Sequence, residues 1–265
     1  MPSKTSLDNL ASFIRQLDAG TLASVLIELA ADQPAVHERL VRLQLSNQPK
    51  ALATVFRKKL AAWKRSTQYV DYSQVGEFGR ELQAWLEQVE HDLMPRDPPV
   101  VLAMAEAFIQ GDEVFFNRAD DSSGVVGDAI RAACVLWLKA ASRCESPASA
   151  WPDRITTLIA ADQYGAREEL LRRSDLLLSE DALRGLVSSC EAQLDDALKY
   201  PPGAPARVNW PAPRAPTALS LLSEALRDPD VLVRASPNPI QKSTLAEAFL
   251  KYGRPEGALA WLGGS

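Results

Sequence analysis

Eight basic residues and no acidic one occupy the stretch from Arg39 to Val70: Arg39, Arg42, Lys50, Arg57, Lys58, Lys59, Lys64 and Arg65. The rest of the chain holds the other 21 basic residues against all 34 acidic ones. Lys50, Arg57 and Lys64 recur every seven residues, as do Lys58 and Arg65. A helix over residues 50–65 therefore carries a cationic strip roughly opposite Phe56, Leu60 and Trp63. Such a strip can hold phosphates, which makes Arg57, Lys58, Lys64 and Arg65 the candidate partner-binding residues. Pairing with the acidic helix that follows, or simple solvation, accounts for the same charges and is the preferred reading. Surface ion pairs of about 0–1 kcal/mol each are common and require no partner. The formal net charge of −5 also argues against a dedicated DNA binder, though it leaves room for a local patch.

The loop Asp120-Asp121-Ser122-Ser123-Gly124-Val125-Val126-Gly127-Asp128 gathers carboxylates and hydroxyls, the oxygen donors that calcium or magnesium prefers. It does not follow the EF-hand pattern. Counted from Asp120, the sixth position is Val125 where glycine is needed, and the twelfth is Arg131 in place of a bidentate glutamate. Capping of the next helix by Asp121 or Ser123 is the preferred reading. An enzyme site assembled from Asp120, Asp121 and Asp128 is the weakest of the alternatives. The two histidines, His37 and His91, sit in predicted helices outside any H-E-x-x-H or triad context. There is no phosphate-binding G-x-x-x-x-G-K-[ST] loop and no G-x-G-x-x-G after a strand. Asp195-Asp196 and Glu168-Glu169 are neighbours expected to point to different sides of a helix, which makes them poor acid–base partners. The cysteines Cys134, Cys144 and Cys190 lack C-x-x-C spacing, so disulfides and cysteine metal sites are not expected. No catalytic residue, metal or cofactor is assigned.

The elements that must position these residues read as helices throughout. Leu7, Leu10, Ile14 and Leu17 have helical spacing, as do Leu22, Val25, Leu26 and Leu29, and then Val36, Leu40 and Leu43. Asp32-Gln33-Pro34 and Gln48-Pro49 break the pattern before a longer helix with Leu52, Val55, Phe56, Leu60 and Trp63. Val70, Asp71, Gln74 and Val75 fit a staple around a capping box, which starts a helix at Tyr72. Its apolar stripe runs from Val75 to Leu93, while Glu77, Glu81, Glu87, Glu90 and Asp92 make much of the remainder acidic. Helices follow from Pro98, from about Val126, and at roughly 152–162, 167–173 and 180–199.

Six prolines fall within residues 200–216, the best candidate boundary, between a helical bundle or solenoid at 1–199 and helical hairpins at 217–265. Asn238, Pro239 and Gln241 read as a helix start. Trp63, Trp85, Trp137 and Trp261 lie on apolar stripes, whereas Trp151 and Trp210 stand beside prolines, where anchoring a loop is preferred over contacting a partner.

From Leu245 to Leu262 two short helices fold back on each other, and Ala246, Phe249, Gly253 and Ala258 occupy positions similar to those of a tetratricopeptide repeat. A hairpin of this kind needs stacked neighbours, so a longer parent protein is expected. The segments Trp63-Lys64-Arg65 with Tyr69-Val70-Asp71-Tyr72, then Asp120 to Asp128, and then this hairpin make the chain resemble an uncharacterised family of bacterial helical proteins, a domain of unknown function. The resemblance implies more helical repeats in a longer parent and transfers no activity.

The expected fold is all-α, antiparallel helix pairs forming an α-solenoid or superhelical bundle. The expected function is a non-catalytic scaffold for a protein or peptide partner, with nucleic-acid binding through the helix at 50–65 as the alternative. No apolar run of about 18 residues and no leader pattern occurs, so neither a membrane nor secretion is expected and the cytoplasm is the anticipated compartment.

Overall fold

Aspartate and proline at the breaks decide where the helices start. In a computed structural model the chain is described over residues 4–199, 215–234 and 242–263. These residues hold fifteen α-helices, and their one extended pairing is an isolated bridge between Val70 and Ala119, so the fold is all-α. Among them no helix is long and apolar enough to cross a membrane. Most of the proline-rich connection, Trp210 and the helix start expected at Asn238, Pro239 and Gln241 lie outside the described residues.

The chain divides into two compact units, Met1–Val55 and Phe56–Ser265. The first holds α1 (Lys4–Ile14), α2 (Ala19–Asp32), α3 (Pro34–Gln44) and the start of α4 (Pro49–Arg65). Asp18 caps α2, accepting from the Thr21 amide at 3.0 Å and the Thr21 hydroxyl at 2.6 Å. Pro34 opens α3 at a position where its missing N–H costs nothing. α2 and α3 pack on each other, yet neither has a buried side chain.

The second unit is built on α5 (Tyr72–Leu93), α6 (Pro98–Ile109) and α8 (Val125–Ala141), with α6 and α5 both packed on α8. Asp71 starts α5 as the sequence indicates, its carboxylate accepting from the Ser73 and Gln74 amides at 2.8 and 3.2 Å. The expected stripe of Val75, Phe78, Leu82, Leu86, Val89 and Leu93 is buried. Trp85 joins it, stacked on Phe108 at 5.5 Å and met edge-on by Phe56 at 6.0 Å. Trp137 is buried, and Trp151 packs against it edge-on at 5.7 Å, the anchoring role preferred for Trp151.

A short α7 (Asp112–Asn117) precedes α8, and α9 (Trp151–Ala160), α10 (Glu169–Arg172) and α11 (Glu180–Lys199) follow it. Asp112 and Arg167 form a buried, two-pronged ion pair with both contacts at 2.8 Å, and Arg167 also donates to the Leu158 carbonyl at 2.8 Å. α12 (Ala215–Leu226) packs on α10 and α11 and is followed by α13 (Pro229–Arg234). α14 (Lys242–Lys251) and α15 (Pro255–Gly263) pack together across a turn where Gly253 takes φ +71°, and Ala246, Phe249 and Ala258 are buried between them.

Candidate binding cavity and basic face

Two of the segments singled out in the sequence meet at one place. The Val70 amide donates to the Arg118 carbonyl at 2.8 Å, and the Asp120 amide donates to the Val70 carbonyl at 3.0 Å. This clip ties the loop after α4 to the loop before α8. At the second loop, both oxygens of Asp121 are taken by the Val126 and Gly127 amides, at 2.8 and 3.0 Å. Gly124, with φ +77°, makes the turn into the helix. Asp120 accepts from Ser122, and Asp128 pairs with Arg131 at 2.6 Å. The capping role preferred for Asp121 is what the structure shows. All three carboxylates are engaged in local structure, and no three metal-ligating side chains cluster among the described residues.

Beside this clip lies an open cavity of about 300 Å³, floored by Arg118 and Phe78, walled by Trp63 and edged by Gln68, Glu77 and Glu81. The Arg118 side chain lies over the Phe78 ring, 4.5 Å from its centroid, and its Nη1 donates to the Trp63 carbonyl at 3.1 Å. Arg118 is 9% exposed, and its Nε is buried without an acceptor. Burial pulls the pKa of this guanidinium below its ordinary value, and the charge of Glu81 offsets part of that. Arg118 was missed in the sequence because an arginine in a polar loop gives no sign of burial. A signal did exist: it is the single basic residue between Arg96 and Arg131.

The four predicted partner-binding residues are not equivalent. Arg57, Lys58 and Arg65 are exposed and form no ion pair among the described residues, α5's carboxylates included. Lys64 is half-buried and donates to the Ala107 carbonyl at 3.3 Å, near the end of α6. Trp63 of α4 meets Phe78 and Trp85 of α5 edge-on at 6.4 and 6.1 Å, and the Trp85 Nε1 donates to the Phe56 carbonyl at 3.3 Å.

Two of the three thiols are buried. Burial raises the Cys134 pKa well above the ordinary range and pushes Cys190 up to about 11, so both stay protonated at neutral pH. His91 is exposed beside Asp92, and His37 is exposed on α3. Glu168 and Glu169 differ from expectation: instead of diverging, both reach Arg172, which lies three and four residues further along the helix, where a long guanidinium spans both.

Fifteen α-helices and one isolated bridge among the described residues define an all-α protein. The chain belongs to a family of unknown function (DUF6880), whose sequence model matches residues 2–225. The matched region contains the Trp63–Tyr72 and Asp120–Asp128 segments, while the terminal hairpin lies beyond it. No curated protein and no solved structure matches the chain.

Proposed function

We propose that this chain is a non-catalytic helical-repeat scaffold, an α-solenoid or superhelical bundle ending in a tetratricopeptide-like hairpin, that binds a partner protein or peptide in the bacterial cytoplasm. One observation carries the reading: α1, α2 and α3 leave several large apolar side chains exposed. Ile27 is 69% exposed, Leu43 60% and Phe13 57%, with Leu10, Leu26 and Val25 also above 40%. Singly exposed apolar residues are ordinary, but large exposed apolar areas in soluble proteins mark interaction sites, and six large exposed side chains on three helices support that reading. Helix surfaces pack best against helices, so the fitting occupant is an amphipathic helix of the partner. Three free cysteines suit a reducing compartment.

The test is the full chain with Ile27→Asp and Leu43→Asp. The reading predicts loss of a partner that co-purifies with the unaltered chain, at an unchanged melting temperature. Retention of that partner, or a collapse in stability showing that the face is internal packing, contradicts it.

A second reading, nucleic-acid binding through α4, is favoured by the exposed and unpaired state of Arg57, Lys58 and Arg65. It predicts anisotropy-detected binding of DNA or RNA that weakens steeply with salt and is lost when Arg57, Lys58, Lys64 and Arg65 are changed to glutamate. Absence of binding at low salt removes it.

A further inference from the structure

We infer that the cavity floored by Arg118 binds an amphoteric ligand of the amino-acid class, one whose single residue carries both a carboxylate and a cationic amine or guanidinium. This stands apart from the scaffold reading, because it rests on a different part of the molecule.

The carboxylate half follows from how Arg118 is held. A guanidinium presents N–H donors along its edges in a fixed plane, and the edge formed by Nε and Nη2 offers two parallel donors matched to the two oxygens of a carboxylate. The bond from Nη1 to the Trp63 carbonyl, with the Phe78 ring beneath, fixes the plane of the group. The other edge is unpaired: Nε is buried with no acceptor, and Nη2 meets none among the described residues. A buried donor without a partner is unfavourable, and native proteins keep few of them. This one belongs to a residue that lines an open cavity.

The cationic half follows from the rim. Glu77 and Glu81 lie one turn apart on α5, share the face that borders the cavity, are exposed, and have no hydrogen-bond or ion-pair partner among the described residues. Two carboxylates outnumber the one guanidinium, so a simple anion entering the cavity meets net repulsion. A ligand that brings its own cation meets complementary charge at both ends. The volume of about 300 Å³ sits at the lower bound of small-ligand sites, which limits the occupant to about one residue. Free lysine or arginine satisfies these terms, and so does the last residue of a peptide ending in one of them.

Calorimetric titration of the full chain separates these cases. The probes are L-lysine, L-arginine, acetate, butylamine, and the peptide Gly-Gly-Lys with either a free or an amidated carboxyl end. Lysine, arginine or free-ended Gly-Gly-Lys should bind at least tenfold more tightly than acetate or butylamine. Tighter binding of free lysine assigns a small-molecule site; tighter binding of Gly-Gly-Lys, abolished by amidation, assigns a chain end. Arg118→Lys keeps the charge but removes the two-donor edge, and should weaken binding at least tenfold. Glu77→Gln with Glu81→Gln alters exposed residues only and should weaken it similarly without lowering the melting temperature. If Arg118→Lys fails to fold, the rim variant and the shift of the Arg118 Nε–H resonance on adding lysine decide the matter. Amphoteric probes that bind no better than acetate or butylamine, or binding that survives the rim variant, overturn the inference.

Discussion

Asp112 and Arg167 make the sharpest energetic prediction in the molecule. Each side chain is about 5% exposed or less, and the two-pronged geometry satisfies both charges. Burial alone would lower the Arg167 pKa, but the hydrogen bonds and charge of Asp112, helped by Asp162, hold it above its ordinary value. Asp112→Ala strands a buried cation and should cost about 3–5 kcal/mol in urea denaturation, whereas Asp112→Leu with Arg167→Met should come within about 1 kcal/mol of the parent or exceed it. A loss under about 1 kcal/mol for the single change contradicts this account. A second residue-scale prediction concerns pH. Hydrogen bonds from the Ser73 hydroxyl first, then from the Ser73 and Gln74 amides, hold the Asp71 carboxyl below its ordinary 3.8 although slight burial opposes them. The folded value lies below the unfolded one, so the cap's stabilisation is complete above pH 3.8 and fades as pH falls through the lower folded value. The melting-temperature gap between the parent and Asp71→Ala should be constant near neutrality and narrow in acid; a gap that widens in acid contradicts the assignment.

At the scale of elements, close approach matters more than propensity. A Cβ on Gly79 would stand 2.8 Å from Val125 Cβ and Cγ2, so α5 and α8 meet where only glycine fits. Helix propensity favours alanine over glycine by about 1 kcal/mol, but overpacking costs about 1–3 kcal/mol, so Gly79→Ala should lower stability overall. A thermal melt showing stabilisation would refute the contact. Gly257 is similar: a Cβ there overlaps the Phe249 ring across the α14–α15 turn. Helix starts marked by a cap or proline were legible in the sequence, as at Asp71–Tyr72, Pro34 and Pro98. The short α7 and α13, of six residues each, were not, because under two turns there is too little periodicity to read. The cavity was half legible. The segments Tyr69–Tyr72 and Asp120–Asp128 stood out, but the backbone clip that joins them, and the burial of Arg118, depend on tertiary pairing that no local pattern encodes.

At the scale of the whole molecule, the sequence already separated a basic stretch from an acidic remainder. It marked Phe56, Trp63 and Trp85 as apolar-face residues, but gave no sign that Arg57, Lys58 and Arg65 would form no ion pair among the described residues. It also marked the apolar stripes of α1–α3 without showing that side chains such as Ile27 would remain exposed, because periodicity shows which face is apolar and not what covers it. Those exposed side chains are the basis for the proposed protein partner. The most direct test places a photoreactive amino acid at position 27 in the full chain, with position 173 as an exposed polar control, and irradiates the intact cells. The account predicts a discrete protein adduct from position 27 and none from position 173. Adducts with nucleic acid alone, or equal adducts from both positions, would contradict it.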